Sequence, residues 1–273
     1  MAKNLEEIEF TIFDTETTGL EPQAGDRMVE IAGIRLKGNQ KLDTFQTLIN
    51  PGRPISCAAF AVNKITPEML KDAPTIETAL PEFLKFIQDT CLCSYNATFD
   101  LEFLNNELRL IGRPDIENIV VVDILKMAER LLPRLERYAL WFVAEKLGLK
   151  TKQEHRAFSD VELTLNVFHK LKEALYAKGI LDFLNFSNLF ALNSQFLNNI
   201  NNQKIAKIQE AIGLGVKLKI KYLSTSYAEV SEREVIPKEI RQDKNYSYLV
   251  GYCCLRKEER TFRTDGILHL EIL

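Results

Sequence analysis

The order of hydrophobic patterns predicts an α/β protein, a mixed sheet flanked by helices and followed by a smaller β module. Strand-like alternation occupies residues 8–50, and strand-like and helix-like segments then alternate to about residue 178. Residues 181–212 are rich in asparagine and predict helical connectors. From residue 213 short strands separated by turns return, which predicts a small barrel or sandwich.

Composition excludes some classes of protein. The 273 residues are 46% hydrophobic and 27% charged, with a net charge of -3, so any contact with nucleic acid must come from a local basic patch. The five cysteines form no paired zinc motif. The N-terminus has no apolar leader, and no run of about 18 apolar residues occurs. We therefore expect a cytoplasmic protein with no membrane span.

The first two thirds of the chain are predicted to begin with an antiparallel meander that leads into helices. Ile8, Phe10 and Ile12 alternate as a buried strand, and residues 28–36 and 43–50 continue the sheet. Prolines near residue 51 end this pattern. Helices are predicted at 76–88, 124–131, 138–147 and 155–178, and strands at 91–95 and 119–122. This gives a domain of residues 1–178.

The C-terminal third divides into two parts. Residues 179–212 form the predicted helical connector, with a break at Asn201-Asn202. Residues 213–273 form the β module, with strand-like runs around Leu218, at Val235–Pro237, and over 246–252 and 262–272.

Acidic residues then suggest a site. Asp14 and Glu16 lie one residue apart on a strand, so their side chains point the same way and repel each other. A hard divalent cation between them is the simplest remedy. Alone, the pair is better explained as a solvated strand end.

Three further residues strengthen the case for a site. Asp100 and Asp160 fall in predicted first turns of helices, and His155 lies five residues before Asp160. Carboxylates are also favoured in first turns for purely electrostatic reasons, so each acid alone has a structural explanation.

Together these residues resemble three known motifs in order and spacing: Asp14-x-Glu16, Asn96-Ala97-x-Phe99-Asp100, and His155-Arg156-Ala157-x-x-Asp160. They are similar to the motifs of DEDDh 3′–5′ exonucleases of the DnaQ-like family, to which proofreading subunits of bacterial DNA polymerases belong. The resemblance covers roughly residues 8–176 and implies a ribonuclease H-like fold.

The resemblance also implies a mechanism. Two divalent cations, Mg²⁺ or Mn²⁺, would be held by Asp14, Glu16, Asp100 and Asp160, and His155 would accept the proton of the attacking water. The terminal nucleotide would contact a second set of residues: Thr15, Thr17, Thr18, Leu20, Asn96 and Phe99. Core packing is an equal alternative for Leu20 and Phe99. Tyr95 and Asn63 stand where many relatives have histidine, which affects substrate contacts and not cation binding.

The implied partner is a nucleic acid with a 3′ end, with DNA favoured over RNA, and a DNA polymerase subunit is a candidate protein partner. The oligomeric state stays open. Two alternatives stand beside the DNA exonuclease: an exoribonuclease of the same fold, and a non-catalytic regulator that senses a ligand or binds nucleic acid. The complete set of four carboxylates and His155 argues against the regulator.

The C-terminal module resembles the WYL domain, an SH3-like β-barrel that binds nucleic acid or nucleotide-type ligands. The resemblance rests on Leu218–Tyr222, Arg233–Pro237 and Tyr248–Cys253. Ser247 replaces the name-giving tryptophan, and Gly266 replaces an arginine that usually follows the aspartate. Arg233, Arg260 and Arg263 remain as candidate ligand contacts, with fold-stabilising surface residues as the alternative.

Overall fold

A computed structural model describes residues 3–149, 155–192, 194–243 and 246–273, with only the backbone described for 194–199. Two five-stranded sheets organise these residues, one in each predicted module. Among the described residues, no helix is both long and apolar enough to cross a lipid bilayer.

The first sheet is mixed, as predicted. Its order is β3-β2-β1-β4-β5; β1 pairs antiparallel with β2 and parallel with β4, and β5 extends the parallel half. The strands are β1 (Glu9–Thr17), β2 (Met28–Lys37), β3 (Gln40–Leu48), β4 (Cys91–Ser94) and β5 (Val121–Asp123). Asp14 and Glu16 therefore lie inside β1, which is longer than its apolar alternation predicts.

Helices cover both faces of this sheet. They are α1 (Cys57–Asn63), α2 (Pro67–Leu70), α3 (Ile76–Phe86), α4 (Ala97–Leu110), α5 (Ile124–Leu131), α6 (Leu140–Lys146) and α7 (Ala157–Ala177). Thr66 caps α2 through its side chain, and Pro67 occupies the first helical position, as the sequence predicts. Helix α1 was not predicted, because the prolines before it indicated only an end to the sheet.

The core has one cluster on each side of the sheet. Phe10 and Ile12 point to the cluster that α5, α6 and α7 complete, whereas Phe13 points to the cluster shared with α3 and α4. Since side chains alternate along a strand, Asp14 and Glu16 continue the face of Phe10 and Ile12, toward α7. Thr15 continues the opposite face, toward α4.

The connector between the sheets is helical. It consists of α8 (Phe183–Phe190) and α9 (Ser194–Leu214). The predicted break at Asn201-Asn202 is wrong: α9 runs through both residues without interruption. Asparagine has low helix propensity, but the packing of Ile208 and Ala211 against the second sheet outweighs it.

The second sheet is antiparallel throughout, in the order β10-β6-β7-β8-β9. Its strands are β6 (Leu218–Leu223), β7 (Val230–Asp243), β8 (Tyr246–Cys253), β9 (Glu258–Arg263) and β10 (Ile267–Ile272). The predicted closed barrel is wrong, because β9 and β10 form the two edges of an open sheet. A single 3-10 turn, Thr264–Gly266, divides the predicted strand over 262–272 in two.

This 3-10 turn joins the two modules. Arg130 on α5 reaches Asp265 at 3.7 Å and donates to the Leu223 carbonyl, and the Asn188 side chain on α8 donates to the Asp265 carbonyl. A Cβ on Gly266 would lie 2.6 Å from the Arg130 guanidinium and 3.0 Å from the Leu223 oxygen. The arginine that usually occupies this position therefore has no room here.

The replacement Gly266→Ala should destabilise the protein. Overpacking of this kind costs about 1–3 kcal/mol, because the turn must move away from α5. Gly213→Ala on α9 is the matched control: nothing lies within 4 Å of its Cβ, so alanine should be neutral or stabilising. Denaturant unfolding of the full chain measures both. Equal stability of the two variants would contradict the close contact at Gly266.

Candidate active site

Carboxylates from two faces of the first sheet converge at the end of β1. Asp14 and Glu16 project toward α7, whose first turn carries Asp160. One oxygen from each of these three side chains lies within 4.8 Å of the others. Asp100 comes from the first turn of α4, beyond the parallel strand β4. The structure thus brings together all four acids that the motifs single out.

Asp100 is buried and held on both oxygens. Its Oδ1 accepts from the Thr15 amide at 3.0 Å and from the Thr15 hydroxyl at 2.6 Å, and its Oδ2 accepts from the Ser94 hydroxyl at 2.6 Å. A carboxylate has about four lone-pair sites, and three are used here, so the remaining acceptor capacity lies on Oδ2. Thr15, predicted to contact the nucleotide, thus commits its hydroxyl hydrogen to Asp100. Ser94 was not predicted.

The crowding of these acids raises their pKa values. Burial, followed by the charges of Asp100, Glu16, Asp160 and Glu30, raises the pKa of Asp14 well above its usual range. Burial, with Asp160 and then Glu30, raises the pKa of Glu16 to about 8. The pKa of Asp100 rises to about 6 through burial, against the lowering effect of its hydrogen bonds from Ser94 and Thr15. A bound cation would remove this repulsion.

A further acid, the buried Glu30, lies directly opposite Glu16 in the β1–β2 register. Arg156 forms two hydrogen bonds to its oxygens at 2.9 and 3.0 Å, and the Ala157 amide donates a third at 3.1 Å. These bonds lower the pKa of Glu30 and fix the start of α7 against β2. The Glu30–Arg156 pair was not predicted. The signal for it in the sequence was an acidic residue at an inward-facing position of a predicted strand.

His155 lies at the entrance to α7, immediately before Arg156. Its backbone is left-handed, with a φ of 52°, and its ring remains 48% exposed. Its Nδ1 is 3.9 Å from the Asp160 Oδ2. The imidazole is thus close to the acids and open to solvent, so it can meet a water molecule beside them.

The acids form the floor of a cleft with a volume of 570 Å³. Helix α1, with Ala58, Ala59 and Val62, supplies an apolar wall, and Tyr95 lines the cleft as well. Small side chains on α1 leave room for a flat group beside the acids. These wall residues were missed because the helix itself was not predicted.

The predicted nucleotide contacts fall into two groups. Thr15, Thr17, Leu20 and Phe99 line the cleft. Leu20 is 78% exposed, on a loop that Asp26 organises by accepting from the Thr18 hydroxyl and the Glu21 amide. Thr18 itself is buried behind the cleft, and Asn96 caps α4 outside it.

Asp123 and the arginines of the C-terminal module have partners within the fold. Asp123 accepts from the amides of Asn96 and Leu125. Arg260 pairs with Glu258, and Arg233 bonds to the Ser231 hydroxyl. Arg263 forms two hydrogen bonds to Asp265, and its guanidinium stacks 4.0 Å from the Tyr246 ring. The structure brings none of the three arginines to the cleft.

Comparison with known families identifies the fold and the motifs. The family described as "Exonuclease" matches residues 11–168, and the WYL domain family matches residues 203–272. The chain belongs to this exonuclease family. The resemblance drawn from the sequence motifs is therefore confirmed for the exonuclease domain, and a WYL domain follows it.

Relatives of the exonuclease domain carry the names of DNA polymerase III proteins. The chain is 40% identical over 171 residues to "DNA polymerase III PolC-type" of Thermotoga maritima, which covers 63% of this chain and 12% of that protein. A "DNA polymerase III subunit epsilon-like protein" of Rhodobacter capsulatus is 38% identical over 183 residues, or 66% of this chain and 26% of that protein. The chain thus spans a minor part of these relatives.

Solved structures share the fold at low identity. A zinc-bound complex of Escherichia coli ExoI with single-stranded DNA has a TM-score of 0.58 at 17% identity, covering 89% of this chain and 54% of that chain. A 3′-exonuclease bound to a histone mRNA stem-loop has a TM-score of 0.54 at 18% identity, covering 63% and 67%. Both are similar in fold alone.

The raised pKa of Glu16 predicts a pH-dependent stability in the absence of cations. Between its usual pKa of 4.5 and its folded value of about 8, the folded protein binds more protons than the unfolded chain. Stability therefore falls as the pH rises through this interval. Because one pKa unit corresponds to about 1.4 kcal/mol, Glu16→Gln should reduce the fall by at least about 1 kcal/mol.

Denaturant unfolding in EDTA at both ends of this pH interval measures the effect. The exposed acid Glu102, on α4, provides the control, because Glu102→Gln should leave the pH dependence as in the unchanged protein. A pH dependence equal in Glu16→Gln and Glu102→Gln would show that the Glu16 carboxyl does not carry the effect.

Proposed function

We propose that the protein is a metal-dependent 3′–5′ exonuclease that hydrolyses phosphodiester bonds at the 3′ end of DNA and releases nucleoside monophosphates. The observation that carries the proposal is the convergence of Asp14, Glu16, Asp100 and Asp160 beside His155 in one cleft. A non-catalytic regulator has no chemical need for this complete set.

The donor set fits divalent cations. Carboxylate oxygens are hard ligands, the three closest acids lie within 4.8 Å, and their mutual repulsion favours a cation among them. Two Mg²⁺ or Mn²⁺ ions held by the four acids would supply an activated water and compensate the charge on the attacked phosphate and the leaving 3′-oxygen. Ser94 and Thr15 would orient Asp100 toward the cations. Arg156 would pair with Glu30, so that Glu30 does not compete with Asp100 for them.

His155 would act as the general base. Its exposed ring can accept a proton from the attacking water, and its Nδ1 faces the Asp160 carboxylate. Glu30 and Arg156 would position both groups, because they fix the start of α7 to β2. Phe99, with Leu20, would contact the terminal base, and Thr17 would line the floor beneath it. Such contacts accept every base and suit a nuclease without sequence preference.

DNA is the favoured substrate, with RNA as the second candidate. The relatives named as DNA polymerase III proteins support DNA, and they make a polymerase subunit a candidate partner. The shared fold with a 3′-exonuclease that recognises histone mRNA keeps an exoribonuclease as the alternative.

Asp14→Asn should abolish metal-stimulated release of mononucleotides. Loss of a central carboxylate would cost several kcal/mol of transition-state stabilisation, and thus at least about 100-fold in rate. The assay uses 5′-labelled single- and double-stranded DNA and RNA in Mg²⁺, Mn²⁺ or EDTA. The exposed acid Asp72 gives the control variant Asp72→Asn, which should retain full activity. Cleavage that persists in EDTA, or is absent in every metal, would refute the proposal.

Leu20→Ala should weaken substrate binding without affecting stability. The side chain is 78% exposed, so its removal leaves no cavity, whereas the loss of an apolar contact worth about 1.5 kcal/mol raises KM about 10-fold. Leu110→Ala, exposed at 58% on α4 and outside the cleft, is the control. An unchanged KM with Leu20→Ala would remove Leu20 from the substrate contacts.

A further inference from the structure

Two exposed aromatic rings, each with an arginine near it, lie outside the residues that line the cleft and that the proposed reaction uses. The Arg134 guanidinium carbon is 4.9 Å from the centre of the Tyr227 ring, and that of Arg137 is 5.8 Å from Trp141. Tyr227 is 62% exposed and Trp141 is 43% exposed. We call Arg134, Arg137, Trp141 and Tyr227 the aromatic stripe.

The aromatic stripe is fixed to the edge of the cleft. Tyr95 lines the cleft, and its hydroxyl donates to the Tyr138 carbonyl at 2.5 Å, within the segment that carries both arginines. The Tyr138 hydroxyl in turn donates to the Leu132 carbonyl at 2.8 Å. The first bond ties the segment to a residue of the cleft wall, and the second fixes the conformation of the segment itself.

The stripe also crosses from one module to the other. Arg134 follows α5 of the exonuclease domain, whereas Tyr227 lies in the turn between β6 and β7 of the WYL domain. The contacts of Arg130 with Asp265 and Leu223 hold these two modules together. Tyr227 is therefore held in a fixed position beside Arg134.

Packing alone does not account for the stripe. A tryptophan or tyrosine that serves only the fold gains most when it is buried, and large exposed aromatic surface commonly marks an interaction site. Here each ring has a cation near it and keeps much of its surface in solvent. Segment 132–141 carries two arginines and one acid, Glu136, so its charge is net positive in a protein that is acidic overall.

We propose that the aromatic stripe binds the single-stranded part of the nucleic acid that leads to the cleft. Bases would stack on Trp141 and Tyr227, and the guanidinium groups would contact phosphates, the combination that binds single strands without sequence preference. The inference rests on the proposed function, and it gives the WYL domain a role as part of the strand path. A polypeptide partner is the competing occupant, but exposed rings that each have an arginine near them suit a polyanion of stacked bases better.

Trp141 is the only tryptophan in the chain and reports binding directly. The first experiment titrates the full-length protein in EDTA with oligothymidylates of about 20 and about 4 nucleotides and follows tryptophan fluorescence. Quenching by the long strand, and much weaker quenching by the short one, is the expected result. Absence of quenching by the long strand would overturn the inference and leave the surface to a protein partner.

The second experiment measures cleavage of the same two strands in Mg²⁺. KM for the long strand should be at least about 10-fold lower than for the short one, because only the long strand can also stack on Trp141 and Tyr227. The double variant Arg134→Ala with Tyr227→Ala should bring the two KM values close together, with unchanged turnover of the short strand. A double variant of exposed residues on the C-terminal sheet, Arg241→Ala with Tyr252→Ala, should behave like the unchanged protein.

The two experiments separate the inference from the proposed function. Quenching without any cleavage supports the stripe and overturns the nuclease. Cleavage without quenching, or with a length dependence that the Arg134 and Tyr227 replacements leave intact, overturns the stripe and keeps the nuclease. Fluorescence of the unchanged protein does not depend on the folding of any variant, so the binding test stands by itself.

Discussion

The alternation of side chains along β1 is the constraint on which the candidate site depends. Even-numbered positions from Phe10 to Glu16 face α7, whereas Thr15 faces α4. One strand therefore supplies two acids to the α7 side and a support for Asp100 on the other. A register shift of one residue would exchange these faces and separate the acids. β1 lies at the centre of its sheet and is paired on both sides, and this pairing fixes its register.

The negative charge of clustered acids must be compensated, and the means differ from one acid to the next. Asp100 receives hydrogen bonds from Thr15 and Ser94, and Glu30 receives Arg156 and the amide of Ala157. The pKa values of Asp14, Glu16 and Asp100 are nevertheless raised. Repulsion between Asp14 and Glu16 costs stability where no cation relieves it, and this repulsion supports the proposed cation site.

The two modules meet through polar contacts around one 3-10 turn. Asp265 receives Arg263 from its own module, while Arg130 and Asn188 approach the turn from the other side. Because Gly266 has no side chain, the Arg130 guanidinium of the exonuclease domain fits beside it, and an arginine at position 266 would not fit. These contacts hold Tyr227 of the WYL domain beside Arg134, in the segment that follows α5 of the exonuclease domain.

Local sequence determined the mixed sheet and most helices, because periodicity is a short-range property, and the resemblance of three short motifs to a known family singled out the four acids with His155. Tertiary structure decided the rest. Glu30 and Arg156 are distant along the chain and meet only in the fold, and α1 forms a wall of the cleft because the fold places it near the acids. The open C-terminal sheet and the unbroken α9 likewise depend on packing, since alternation specifies strands but not closure, and propensity yields to burial.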